Sequence, residues 1–203
     1  AHTQHFADEI EDFALEDAIE IVVLPRELQA VDGEGGGRIT TRLEIGEQVT
    51  WSGAQGRVAI VVTDRRLLAV STRSGAWQSA RFRRGEAPPP GALLGGRVAV
   101  AYTNKRAFGF DGGSGNLIET SLGPREAVFD ADAGQNVGVV VTGRRALGLS
   151  ARAGGFFDAP IHVGEDVLSL SARSGFASVY TTDRILTFRA LRGSWEEERP
   201  SRR

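Results

Sequence analysis

The sequence contains no cysteine and no methionine, only three histidines, and a single lysine, Lys105, among 24 basic residues. Without cysteine there are no disulfides, thiolate metal sites or cysteine nucleophiles, and three histidines leave little material for zinc or triad chemistry. No apolar stretch approaches the roughly 18 residues of a membrane-spanning helix. The greasiest runs, Val58 to Val62 and Val137 to Val141, have the length of strands. A net charge of −2 lacks the basic excess that wrapping nucleic acid requires. The preference for arginine over lysine points to a GC-rich genome and carries no functional information. A first residue Ala1 fits a mature protein after removal of a signal peptide, and equally a trimmed chain. We expect a periplasmic or extracellular location.

What is present is a chain of 203 residues, 41% hydrophobic and rich in glycine, long enough to bury a sizeable core. It is built on an internal repeat. The octapeptide Thr63-Asp64-Arg65-Arg66-Leu67-Leu68-Ala69-Val70 aligns with segments starting at Leu24, Thr103, Thr142 and Thr181, so the period is 39 or 40 residues. Twelve residues after each start stands a glycine: Gly36, Gly75, Gly115, Gly154 and Gly193. Two residues further on, four copies carry Trp77, Leu117, Phe156 or Trp195, whereas the first has Arg38. A short apolar run precedes each start.

Each unit parses as four short strands. In the second copy they run over 48–52, 57–62, 66–71 and 76–83, with turns at Gln55-Gly56, Asp64-Arg65 and Ser74-Gly75. The second strand is apolar on both faces, as in a sheet sandwiched between two others. Its small residues, Ala59, Ala99, Gly138 and Ala177, let neighbouring sheets approach closely. Pro88-Pro89-Pro90 shortens the third unit's inner strand, because proline cannot donate to a ladder. Five such units predict an all-β, five-bladed β-propeller, a single domain with blades near 9–47, 48–86, 87–126, 127–165 and 166–203. Residues 9 to 15 supply the first inner strand, and the ring closes blade on blade or by pairing of residues 1 to 8 with the last blade.

The stretch Val61 to Trp77, in which a strand ending at threonine leads to a second strand, a glycine turn and a tryptophan, resembles the quinoprotein-like (PQQ-type) propeller repeat of bacterial envelope proteins. The resemblance implies propeller architecture and an envelope scaffold role. It departs from that family in having five units, and tryptophan at the matching position only at Trp77 and Trp195. No cofactor is implied.

The clearest chemical repeat is Arg66, Arg106, Arg145 and Arg184 at the fourth position of the octapeptide. Guanidinium groups along one rim could hold carboxylates or phosphates of a partner. Alternatively each arginine bonds carbonyls and an acid of the adjacent blade and locks the ring, which recurrence in unit after unit favours. Glu27 replaces the arginine in the first copy, within a wider asymmetry. Residues 1 to 36 carry ten acids, among them Glu16, Asp17, Glu20 and Glu27, against Arg26 alone, a balance of −9. The rest has 16 acids and 23 bases, or +7. An acidic first blade either closes on a basic fifth blade or docks onto a partner of opposite charge.

Other readings are weaker. Asp12, Asp130 and Asp132 share an inner-strand face and could serve as a glycosidase pair, but Trp51, Gly91 and Ser169 fill that column elsewhere. Trp77, Phe156 and Trp195 could stack on sugars, although no polar partners recur beside them. His2, His5 and Asp8 form a loose metal-like cluster, and His162 stands alone. The expectation is a non-enzymatic protein-interaction or scaffold module, an accessory subunit of a larger bacterial envelope assembly. The contact candidates are the four arginines and the acids Glu16, Asp17, Glu20 and Glu27. Carbohydrate binding is the alternative.

Overall fold

The computed structural model describes residues 19–199, and among them it contains strands and turns but no helix. The first sheet has three strands, β1 (Ile19–Leu24), β2 (Glu27–Asp32) and β3 (Arg38–Arg42). The second has β4 (Val49–Gln55), β5 (Val58–Thr63), β6 (Arg66–Ser71) and β7 (Gln78–Arg81). The third has β8 (Leu93–Leu94), β9 (Val98–Tyr102), β10 (Arg106–Asp111) and β11 (Asn116–Ser121). The fourth comprises β12 (Val128–Ala133), β13 (Val137–Thr142), β14 (Arg145–Ser150) and β15 (Gly155–Pro160). The fifth comprises β16 (Val167–Ala172), β17 (Phe176–Thr181), β18 (Ile185–Arg189) and β19 (Ser194–Glu198). Each is an antiparallel meander in chain order, so every repeat folds into its own sheet. The inner strand expected at 9 to 15 lies outside the described residues.

Local sequence explains these elements. The repeated glycine ends each third strand in a turn, and all five copies have positive φ, between 61° and 74°. The proline run leaves β8 only two residues long, as the missing donors predict. The second unit corrects two boundaries. Its inner strand starts at Val49 and continues to Gln55, past the expected end at Ser52. A bulge between Val49 and Trp51 absorbs one residue and lets the ladder run on to the turn. Its outer strand is only Gln78–Arg81, because Trp77 leaves the ladder and turns its indole toward the preceding sheet.

The sheets pack face to face in chain order through four apolar layers. Ile21 and Leu28 meet Val61 and Leu68 between the first two sheets. Ile60 and Leu67 meet Phe108 and Phe110 in the next layer, Val100 meets Val140 and Leu147 in the third, and Val139 meets Val179 and Phe188 in the fourth. The small-residue column decides the spacing: a Cβ on Gly138 would stand 2.4 Å from Val100 Cγ1. Middle strands β5 and β13 are therefore buried along their whole length. Meanders stacked this way, inner strand first, are arranged like consecutive propeller blades.

Candidate functional site

The four repeated arginines lie at the same edge of successive sheets, each opening the third strand or standing just before it. Each is held by two other repeated residues. The first is the threonine three positions earlier. Thr63 Oγ1 accepts the backbone N–H groups of Arg65 and Arg66 and lies 2.8 Å from Glu47 Oε1, to which it can donate its one proton. Thr103, Thr142 and Thr181 are placed alike against Glu86, Glu126 and Glu165.

The second partner is that glutamate, which comes from the turn connecting one sheet to the next. The backbone N–H of Glu47 donates to the Glu44 carbonyl, and its side chain reaches back to accept the Glu44 N–H. The residue before it, Gly46, has φ +73°, so the four residues form a type II turn whose third position demands a left-handed backbone. Gly85 and Gly164 do the same before Glu86 and Glu165. The fourth sheet has Pro124 at the second position and Arg125, at φ +63°, where the others have glycine.

The guanidinium closes the arrangement. Arg66 donates Nε to Glu47 Oε1 at 2.8 Å and Nη2 to Oε2 at 2.9 Å, a bidentate fork. Nη2 also donates to the Arg42 carbonyl, on the outer strand of the preceding sheet. Arg106, Arg145 and Arg184 repeat this toward the carbonyls of Arg81, Ser121 and Pro160 at 2.7 Å. Each arginine thus ties its own sheet, the connecting turn and the sheet before it into one clamp.

The clamps differ in depth. Arg106 and Arg184 have side chains 3% and 4% exposed and take a second acid from their own outer strands, Glu119 and Glu197. Arg106 also lies over the Phe108 ring. Arg66 and Arg145 are shallower, at 13% and 24%, and the second acid of Arg145, Asp158 on its own outer strand, stands farther off at 3.6 Å. Burial by itself would raise the pKa of Glu47, Glu86 and Glu126, but hydrogen bonds from the arginine, a backbone N–H and the threonine hydroxyl outweigh it and hold all three below the ordinary carboxylate value. Glu165 is lowered to about 2, chiefly by Arg184. The pKa of Arg145 and Arg184 is raised by their glutamates, and that of Arg106 is raised against an opposing effect of burial. In each pair the glutamate is held charged by the guanidinium, the threonine hydroxyl and a backbone N–H, which is the geometry of the locking alternative.

The first sheet has no clamp of this kind. Leu24 stands in the threonine column, and Glu27 stands in the arginine column, where its carboxylate accepts from Gln29 Nε2. Glu20 is half-buried on β1, while Glu16 and Asp17 lie outside the described residues. The aromatic column divides differently, with tryptophan in the second and fifth sheets and Leu117 and Phe156 in the third and fourth. Trp77 and Trp195 donate their indole N–H to the carbonyls of Ile39 and Phe157, each on the preceding sheet, and Trp195 packs against Phe188. The first sheet has Arg38 there.

Sequence reasoning missed the glutamates. The signal was present as the recurring pair Gly46-Glu47, Gly85-Glu86 and Gly164-Glu165, interrupted once by Arg125-Glu126. Of the inner-strand acids, Asp132 accepts the N–H groups of Ala133 and of Ala172 in the next sheet, and Asp130 accepts that of Ala131. Asp12, His2, His5 and Asp8 lie outside the described residues. His162 donates its backbone N–H to Glu165 at the rim. Among the described residues, no group of three His, Asp or Glu side chains is placed to hold a metal ion, and no helix is long and apolar enough to cross a membrane.

No protein-family model matches the chain, and no curated protein matches it in sequence. Solved structures similar to it include Hsv2 of Kluyveromyces lactis, at 9% identity and a TM-score of 0.41 over 93% of this chain and 74% of that one. A segment of HIRA is similar at 9% identity and a TM-score of 0.42, over 90% of this chain and 56% of that one. The extracellular domain of the one-component system protein BT4673 from B. thetaiotaomicron is similar at 13% identity and a TM-score of 0.35, over 95% of this chain and 29% of that one.

Proposed function

We propose that the chain is a five-bladed β-propeller acting as a non-enzymatic protein-interaction or scaffold module. In this reading it is an accessory subunit of a larger bacterial envelope assembly, on the periplasmic or extracellular side, and uses no cofactor. The repeat period and the likeness of Val61 to Trp77 to PQQ-type propeller repeats support the architecture.

One observation carries the functional reading. The repeated charged motif is spent inside the molecule, in clamps between sheets, and the one unit without a clamp is also the acidic one. A rigid stack that leaves Glu27, Asp32 and Glu34 on a single unit presents a localised negative surface. Such a surface steers and orients a basic partner. The four arginines contribute to docking only through donors that the clamp does not use, as with Nη1 of the shallow Arg66, which makes no hydrogen bond among the described residues.

The test is affinity capture of the full chain from native extract, with the Glu27→Lys/Glu34→Lys variant in parallel. The expected result is one or a few defined proteins retained by the parent, released by salt and lost in the variant, whose circular dichroism is unchanged. A chain that migrates alone while cleaving or binding a defined glycan would contradict the proposal.

A further inference from the structure

The four interfaces between successive sheets obey one register. On the second strand, a β-branched residue of one sheet faces a small residue of the next: Ile21 with Ala59, Ile60 with Ala99, Val100 with Gly138 and Val139 with Ala177. On the third strand the order is reversed, with Ala30, Ala69, Gly109 and Gly148 facing Val70, Phe110, Leu149 and Phe188. These pairs are tight: a Cβ on Gly148 would meet the Phe188 ring at 2.5 Å.

One further step of the same register sets the free face of the fifth sheet against the free face of the first. It aligns Ser178 with Glu20 and Thr187 with Val31. Both columns change size in compensating directions. Where the other junctions set isoleucine or valine against alanine or glycine, this one sets the smaller serine against the larger glutamate. Where they set alanine or glycine against residues up to phenylalanine, it sets threonine against valine. Ile185 and Gln29 come together in the same way, in the column that holds Ala146 with Leu186. Each of the three pairs thus brings at least one polar residue to the junction, with Ser178 and Glu20 polar on both sides, and total volume is kept.

We propose that these two faces are mates, and that the ring closes within one chain by a polar seam in which the Glu20 carboxylate accepts from the Ser178 hydroxyl. The proposal rests on the propeller reading above. Among the described residues no hydrogen bond or ion pair joins β16–β19 to β1–β3. Phe176 and Tyr180 are 40% and 42% exposed, where Val58, Val62, Val137 and Val141 are 0% exposed. Covering that face would bury both aromatics. Closure within the chain gives five blades, inside the usual range of about four to eight, whereas two copies joined head to tail would exceed it. A tethered mate also has a far higher effective concentration than a second copy. The seam has neither clamp nor tryptophan pin, since Glu27, Leu24 and Arg38 occupy those columns, so it is the junction that opens first.

The absence of cysteine makes the test clean. The full-length Glu20→Cys/Ser178→Cys variant is treated with a short thiol-specific bifunctional reagent and followed by mass and by mobility under denaturing conditions. The expected product is an internally bridged monomer, while a Thr40→Cys/Ser178→Cys control, with one thiol on the outer strand β3, stays unbridged. Bridged dimers alone would show that a second copy covers the face. Thiols that react with a monofunctional reagent but never bridge would show that the faces do not meet. Either result overturns the seam. If the first variant does not fold, Val31→Cys/Thr187→Cys puts the same question to the other column. Because bridging requires no partner, a failed capture experiment and a failed seam are distinguishable.

Discussion

The segments Leu24 to Val31 and Thr181 to Phe188 occupy the same place in the first and fifth sheets, and they behave differently. In the fifth, Thr181 and Arg184 hold Glu165 and reach back to the fourth sheet through the Pro160 carbonyl. In the first, Leu24 and Glu27 can do neither. The backbone is nearly the same in both, since each supplies an antiparallel pair in matching register. The strands are therefore specified by apolar pattern and turns, while the attachment of one sheet to the sheet before it is specified by three polar residues.

The largest expected effect comes from breaking the deepest clamp. Arg106→Ala leaves Glu86 buried without its partner and should cost about 3–5 kcal/mol in chemical denaturation. Glu27→Ala, in the same column of the first sheet, should cost no more than about 0.5 kcal/mol. Equal losses at the two positions would remove the distinction between clamped and unclamped units.

Acid should expose the same difference through the glutamates. Glu165 is lowered from an ordinary value of 4.5 to about 2, so its contribution is present in full above the unfolded value and is lost as pH falls through 4.5 toward 2. That loss is about 3 kcal/mol for this group. Glu47, Glu86 and Glu126 are lowered too and act in the same direction. Denaturation midpoints measured across this window should fall steeply in the parent and less steeply in Glu165→Gln.

A smaller loss should follow Trp195→Phe, which keeps an aromatic body against Phe188 and removes the donor to the Phe157 carbonyl. The expected cost is about 1 kcal/mol. No loss would assign the tryptophan column to packing alone. The smallest effect is a gain: Arg125→Gly relieves a left-handed residue in the type II turn before Glu126 and should raise stability by about 0.5 kcal/mol.

Much of this fold was legible in the sequence because its determinants are local and repeated. The octapeptide fixed the second and third strands of every sheet. The glycine at the twelfth position predicted the positive-φ turn, and Pro88 to Pro90 predicted the short β8. The site was half legible. Arginine recurrence could be seen, and so could the choice between a docking rim and a lock, but the lock's acid lies 19 or 20 residues before its arginine, across a sheet boundary. Pairing at that distance depends on how one meander follows another, which no single unit's pattern contains. The bulge that extends β4 was hidden for a related reason: it offsets the register of one strand against its neighbour and leaves no residue-type signature beyond Thr50, Phe129 and Leu168 at the equivalent positions.

The central claim, that polar clamps fasten each sheet from the second onward to the one before it and leave the first sheet's own junction unclamped, is tested most directly by amide hydrogen exchange on the parent chain and Arg106→Ala. The account predicts slow exchange in β5, β9 and β13 of the parent and faster exchange in β1 and β2. In the variant, the added exchange should centre on β7 and β10, the two strands that Arg106 ties together. Equal protection of β1 and β13 in the parent, or a variant whose exchange rises evenly over all five sheets, would contradict it.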